Sequence, residues 1–429
     1  MEQTFEPSYR YALQLHNTKD TLKPYKEAFY LPQGHLYFSA HQLGPLSQRV
    51  KHSTLERLDQ WEKHTNAGWR LFQWLETEDL VADKLAKILH VNKQDVGFSP
   101  TLTVGMHILL STFYKPQKGR KYIVMLKSEF NSDVIAAESW VEQHGMEPGC
   151  LIMVETSDKD PQVAINNILS VIESHKEEIS IISMSLVSSH FCHYYDVQRL
   201  IEPCKRHDIK IILDFAHSLG SVPINLTELQ IDAAVMSTSK FLNSGPGSYG
   251  GLYLNPKYRE LQSGMRGWFG QDRAILTTQQ PGFKPSAESL KRFQISGFDP
   301  IKLGQIDASL SYFVEAGIDN VTEKNQGLTR YLMSLLQTLP QVEILNLHSK
   351  YCGHVAIRVQ GLQQGVTSKQ FQQILYDQEK VYCDYAGRYD LIRFGFGALY
   401  TSYLDVYALF EKIQKVISQN LHSNPSPKL

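Results

Sequence analysis

Three stretches place reactive side chains at or just past the ends of apolar, β-branched runs. Asp214-Phe215-Ala216-His217 follows IKIIL, Ser237-Thr238-Ser239-Lys240 follows AAVM, and Phe130-Asn131-Ser132-Asp133 follows KYIVMLKSE. Continuous apolar runs of this length read as buried strands of a parallel sheet, and in open parallel sheets ligands sit beyond the carboxyl ends of the strands. A carboxylate at such an end is costly to ionise unless a cation faces it. A protonated pyridine nitrogen is such a cation, and pairing with Asp214 would keep the ring an electron sink. A lysine in the same crevice can condense with an aldehyde. The 26-residue gap between Asp214 and Lys240 holds one strand and its connections, enough to bring both to one place. The pair points to pyridoxal 5′-phosphate, with Lys240 holding it as a Schiff base. Taken singly, each residue has a plainer reading: Asp214 as a helix cap, Lys240 as a solvated loop residue.

Other residues fit the same crevice. Ser99-Pro100-Thr101-Leu102-Thr103 precedes the helical run Val104–Phe113, so Thr101 and Thr103 sit where a helix N-terminus offers N–H groups to a phosphate; an ordinary threonine cap reads equally well. Phe130 is either a ring stacked on a flat ligand or core. His217 is either a partner of the cofactor's phenolic oxygen or a structural histidine. Arg393 lies in the apolar strand LIRFG, where a guanidinium needs an anion. That anion is a substrate α-carboxylate, or a nearby side chain such as Asp384 or Asp390. The segment Gly245–Gly250 matches GxGxxG, but it precedes a strand instead of opening a helix, so a dinucleotide site is rejected.

These strand ends need a scaffold. Strands predicted at 121–126, 179–187, 209–213, 233–236 and 250–254 alternate with helices at 133–144 and 197–207, which is the α/β class with a mostly parallel sheet. After about Ser296 the pattern shifts to long helices at 300–316, 323–338, 368–376 and 404–420, with strands at 342–345, 354–359 and 391–394. We expect a large domain over 61–296, a smaller α/β domain over 297–429, and residues 1–60 packed on the small domain or on a partner subunit.

A net charge of −1 with scattered Lys and Arg argues against nucleic acid. The five cysteines are odd in number and none are at CxxC spacing, which argues against a metal site or a disulfide framework and fits a reducing, cytoplasmic setting. The N-terminal stretch has no apolar signal segment and no run approaches the roughly 18–20 residues of a membrane span.

Taken together and in order, the segments YFSAHQLGPL, TLTVGMHILLSTFYKP, FNSD, LDFAHSLGSV, SKFLNSGPG, RGWFGQ, FQISGFDP and VYCDYAGRYDLIRFGFGALYTS resemble the kynureninases, within the fold-type I pyridoxal-phosphate enzymes of the class V aminotransferase group. The resemblance runs from Tyr37 to about Leu409. It implies a seven-stranded large-domain sheet and a homodimer with sites at the subunit interface. Lys240 matches the cofactor lysine. Asp214 and Asp133 match carboxylates near the pyridine nitrogen, and Phe130 matches the stacked aromatic. His217 matches the histidine of the D-x-A-H motif, and Leu102 and Thr103 match the phosphate-binding turn. Trp268 matches a tryptophan reaching the phosphate from the neighbouring subunit, and Arg393 matches the arginine that grips the substrate α-carboxylate.

The departures from that pattern gather on the substrate side. Ser239 stands where the family usually has tyrosine before the lysine. Gly297 replaces an asparagine, Gly68-Trp69 replaces a Gly-His pair, Gln271 replaces a histidine, and His41-Gln42-Leu43-Gly44 replaces NSLG. Fold and cofactor therefore transfer more safely than substrate. The reading is an enzyme acting on an L-α-amino acid by side-chain cleavage or elimination, with Trp69, Gln271 and Gly297 on the substrate side. Kynurenine hydrolysis itself, transamination and a non-catalytic relative remain alternatives. A desulfurase would need a mobile thiol, for which Cys383 is the candidate.

Overall fold

In the computed structural model, residues 8–420 are described, apart from 117–118, 277, 279–280, 289 and 363–365. Strand β1 (Leu36–Tyr37) belongs to a small parallel pair. The main sheet is built from β2 (Val96–Ser99), β3 (Tyr122–Leu126), β4 (Leu151–Val154), β5 (Ile179–Ser185), β6 (Lys210–Asp214), β7 (Ala233–Ser237) and β8 (Gly250–Leu254). Its order is β2-β8-β7-β6-β5-β3-β4. The five strands from β7 to β4 run parallel, and β8 and β2 add an antiparallel edge. Every residue of β5 is buried, as expected of a central strand covered on both faces. The sheet is thus the mostly parallel, seven-stranded one expected of the fold.

A second sheet of four antiparallel strands, β9 (Val342–Ile344), β10 (His354–Val359), β12 (Asp384–Ala386) and β13 (Leu391–Gly395), is ordered β12-β13-β10-β9. Strand β11 (Val381–Tyr382) pairs with β1. The N-terminal segment is thereby stitched to the small sheet: β1 lies beside β11, and Ser39 bridges to Gly395 of β13. Helix Tyr9–Thr18 packs on the C-terminal helix Tyr403–Gln419. Just past the first helix, Asp20 forms a buried 2.6 Å ion pair with Lys324 of helix Ile318–Leu336.

Helix Pro300–Ala316 packs on helices Gln48–His64 and Thr77–Leu89, and its Leu303, Ile306, Leu310 and Phe313 join the core beneath the large sheet. Asp299 caps it, accepting from Ile301 N, with Pro300 at the first helical position, where no N–H is needed. Among the described residues no helix is long and apolar enough to cross a membrane.

Candidate active site

The parallel register aligns the strand ends that matter. Ser185 of β5 pairs with Asp214 of β6, which pairs with Val235 of β7. Lys240 lies three residues beyond the end of β7. The chain then turns through left-handed backbone at Asn243 and Gly245 and re-enters as β8 at Gly250, so the GxGxxG match is a strand-preceding turn.

Lys240 is held between an acidic and a basic wall. On the acidic side, Asp214 accepts from Ala216 N at 2.6 Å, and Asp133, in the first turn of helix Asn131–Gln143, faces it. Burial pushes both carboxyls up, and the mutual repulsion of Asp133 and Asp214 raises Asp133 well above the usual range. Asp133 Oδ1 is buried without a hydrogen-bond partner. Behind them Glu129 accepts from Ser185 N at 3.0 Å and Ser185 Oγ at 2.6 Å. Burial carries Glu129 to about 7, with the Asp214 charge adding to the shift. The Lys240 amine itself is lowered by burial, opposed by Asp214.

On the basic side, Lys240 Nζ lies 2.9 Å from His217 Nε2. Arg393 of β13 adds a positive charge that acts on both. Its guanidinium is already engaged: Nε donates to Asp384 Oδ2 at 2.7 Å, Nη2 donates to the same oxygen, and Nη1 donates to Ser189 O. Of the two readings of Arg393, the ion pair with Asp384 is therefore present in the chain itself. Burial alone would raise Asp384, but its bond to His41 and the Arg393 charge hold it at about 2.

The Phe130 ring, 51% exposed, has Lys240 Nζ 6.0 Å from its centroid. Thr101 caps helix Leu102–Phe113 by accepting from Val104 N, so Leu102 and Thr103 are its first two residues. Thr103 Oγ1 lies 2.7 Å from Ser132 Oγ, which joins this helix start to the Phe130–Asp133 loop. Ser239 is tied to Ser237, Oγ to Oγ, at 3.1 Å.

The remaining residues lie apart. Trp69, Trp268 and Gly297 line an open groove of about 1070 Å³ with Trp61, Phe269 and Phe298, and none of Lys240, Asp214 or His217 lines it. A Cβ at position 297 would fall 2.7 Å from Phe269 Cζ, so that ring occupies the space a larger residue would need. Gln271 lines a neighbouring recess, where its Oε1 accepts from Lys284 N at 3.4 Å and its Nε2 donates to Trp268 O at 3.5 Å. One chain thus assembles the Lys240 cluster but leaves Trp69, Trp268 and Gly297 in a separate, apolar surface.

Four residues of the cluster escaped the sequence reading as site residues: Glu129, His41, His354 and Asp384. His41 was visible as a departure from NSLG, and Glu129 as a charge directly before Phe130. His354 carried no local signal beyond opening a strand.

The class-V aminotransferase model matches residues 66–384. The chain belongs to the class-V aminotransferase family. Kynureninase of Geobacillus thermodenitrificans is 26% identical over 421 residues, covering 96% of this chain and 95% of that one. Two solved structures show the same fold. C-DES, in a variant with glycine covalently linked to the PLP cofactor, superposes with a TM-score of 0.76 at 15% identity, covering 89% of this chain and 96% of its own. The apo cysteine desulfurase of Thermococcus onnurineus gives a TM-score of 0.74 at 15% identity, covering 92% and 98%. The class-V fold explains why Asp214, His217 and Lys240 converge: they stand at or just beyond the ends of adjacent parallel strands.

Proposed function

We propose that the chain is a pyridoxal-phosphate enzyme that acts on an L-α-amino acid by cleavage or elimination at the side chain. The observation that carries this reading is a buried amine, Lys240, facing a buried Asp214–Asp133 pair that has one unsatisfied oxygen. That donor set fits a ring with a protonated nitrogen and a reactive aldehyde. Bound there, pyridoxal phosphate supplies an imine-forming carbonyl and an electron sink.

The chain's own residues do the rest. Burial depresses Lys240, favouring the neutral amine that attacks a carbonyl and later takes a proton at Nζ. Two carboxyls in contact cannot both ionise cheaply, so Asp214 and Asp133 together would offer a shared negative charge to a protonated ring nitrogen. The first turn of helix Leu102–Phe113, with the Thr103 and Ser132 hydroxyls, offers donors to a phosphate. Phe130, exposed and 6.0 Å from Lys240 Nζ, would offer its ring for stacking to a flat cofactor. Arg393, held in orientation by Asp384, presents its guanidinium edge to a substrate carboxylate, which competes with Asp384 for it. The tryptophan groove is the surface a second copy covers, bringing Trp268, Trp69 and Gly297 to a neighbouring site. A desulfurase reading finds no support, because all five cysteines are buried and burial pushes the Cys383 thiol far up.

The test is spectral and covalent. Purified protein with added pyridoxal phosphate should absorb at roughly 410–430 nm, the band of the imine it forms with a lysine. Borohydride should fix the cofactor on the Lys240 peptide, and Lys240→Ala should abolish the fixation. A protein that stays colourless and unlabelled overturns the reading.

A further inference from the structure

Behind Lys240 lies an array of three buried imidazoles to which the proposed chemistry gives no role. His217 Nδ1 is 3.2 Å from His354 Nε2. The His354 ring stacks on that of His41, with centroids 5.3 Å apart and planes inclined by 23°. His41 Nε2 reaches Asp384 Oδ2 at 3.5 Å. His354 is the first residue of β10 and pairs with Gly395 of β13, while His41 sits in the N-terminal segment that crosses the same glycine. A Cβ at position 395 would fall 2.3 Å from His41 Nδ1, so the stack exists because that residue is glycine.

Their surroundings favour the uncharged form of all three rings. Burial lowers all three, and the cations Lys240 and Arg393 oppose protonation of each. Asp384 is the carboxylate facing the array, and it pulls on His41 alone, which still falls to about 4. A neutral imidazole has one N–H and one acceptor nitrogen, so each ring is in one of two tautomers. His41 donates from Nε2 to Asp384.

The tautomer of His217 decides what Lys240 can do. A lysine amine always presents N–H donors, and the side-chain contact at Nζ among the hydrogen bonds of the described residues is His217 Nε2, 2.9 Å away. If Nε2 carried the proton, it would face an ammonium donor to donor, or would occupy the lone pair of the neutral amine. Accepting at Nε2 leaves that lone pair free, and it requires His217 to donate from Nδ1. The nitrogen placed to accept is His354 Nε2, and that assignment puts the His354 proton on Nδ1, which is buried with no other partner among the described residues.

Resting on the reading of Lys240 as the imine-forming amine, we propose that His354 is a positioning residue. It accepts from His217 Nδ1–H, fixes that tautomer, and so keeps the Lys240 lone pair available. His41, locked between Asp384 and Gly395, is the floor that prevents the His354 ring from turning.

The experiment uses the full-length, cofactor-free protein with ¹⁵N-labelled histidine. His217 is identified by the signals that vanish in His217→Gln. Its Nε2 should show the shift of an unprotonated ring nitrogen and its Nδ1 that of an N–H; a protonated Nε2 overturns the proposal whatever the variants do. A kinetic arm follows imine formation between added pyridoxal phosphate and Lys240, trapped by borohydride across a pH series. His354→Gln keeps a side-chain acceptor and should react within about threefold of wild type. His354→Leu removes the acceptor and should slow the reaction about tenfold, the equivalent of one hydrogen bond, and shift its pH midpoint. Equal rates and midpoints in all three proteins overturn the proposal. Wild type that forms no imine at Lys240 counts instead against the enzyme reading, and the ring-nitrogen shifts still decide the tautomer.

Discussion

The Lys240 crevice and the tryptophan groove are built from opposite materials. The crevice gathers Asp133, Asp214, Glu129, His217 and Arg393 out of water, each with a partner or a facing charge. The groove is open, and aromatic rings dominate it, with Trp61, Trp69 and Trp268 all exposed. Lys240, Asp214, Asp133, Phe130, His217 and Arg393, which resemble the kynureninase pattern, lie at the crevice, while Trp268, which resembles it too, lies in the groove. Trp69 and Gly297, two of its clearest departures, lie in the groove. Ionisable groups packed together constrain one another, since removing one leaves its partner buried and unpaired. Rings on an open surface exert no such mutual constraint.

The largest expected effect tests whether the groove has in fact changed its ligand. Phe269 fills the space beside Gly297 and an indole stands at position 69, so the polar side chains that the kynureninase pattern has at these two positions are replaced. Turnover of L-kynurenine should fall at least about a hundredfold below that of a kynureninase, as when a site loses its hydrogen-bonding groups. Fast release of anthranilate would dissolve the contrast between the two regions.

The next effect probes the crevice through Arg393. Arg393→Lys should leave the visible band of the cofactor-loaded protein intact but weaken binding of a reactive amino acid by about 1.5–3 kcal/mol, the cost of a charged hydrogen-bonded contact. A spectral titration of both proteins measures it. Unchanged affinity would mean that the pair with Asp384 is structural and that the substrate carboxylate is held elsewhere.

The smallest effect concerns Glu129. Its carboxyl is raised to about 7 in the folded chain, so the fold binds its proton more tightly than the unfolded chain does. The associated stability is complete below the ordinary carboxylate range and is lost as pH rises through about 7. Glu129→Gln cannot ionise, so denaturant midpoints between about pH 5 and pH 8 should decline less steeply than in wild type, by on the order of 1–3 kcal/mol. Parallel pH profiles would show that Glu129 does not titrate in this range.

Much of the crevice was legible because its signals are local. Asp214 closes an apolar strand and Lys240 follows another, and a strand's burial can be read from five or six consecutive residues. The antiparallel edge was not legible, since β8 carries the same apolar composition as its parallel neighbours. The helix Pro300–Ala316 was placed correctly along the chain, but its apolar residues gave no hint that they enter the core under the large sheet.

By itself, the order of residues determined the central strands, though not the short edge strands Val96–Ser99 and Leu151–Val154, and which carboxylate and amine stand at strand ends, because propensity and periodicity act over a few residues. The tertiary structure decided which distant residues meet. His41 meets Asp384 across 343 positions and His217 meets His354 across 137, through a glycine crossing that no local pattern announces. It also decided that Arg393 is paired before any substrate arrives, and that Trp69 and Gly297 share a surface away from Lys240. Burial and pairing are properties of the assembled space around a group, and the charge state on which this chemistry depends follows from them.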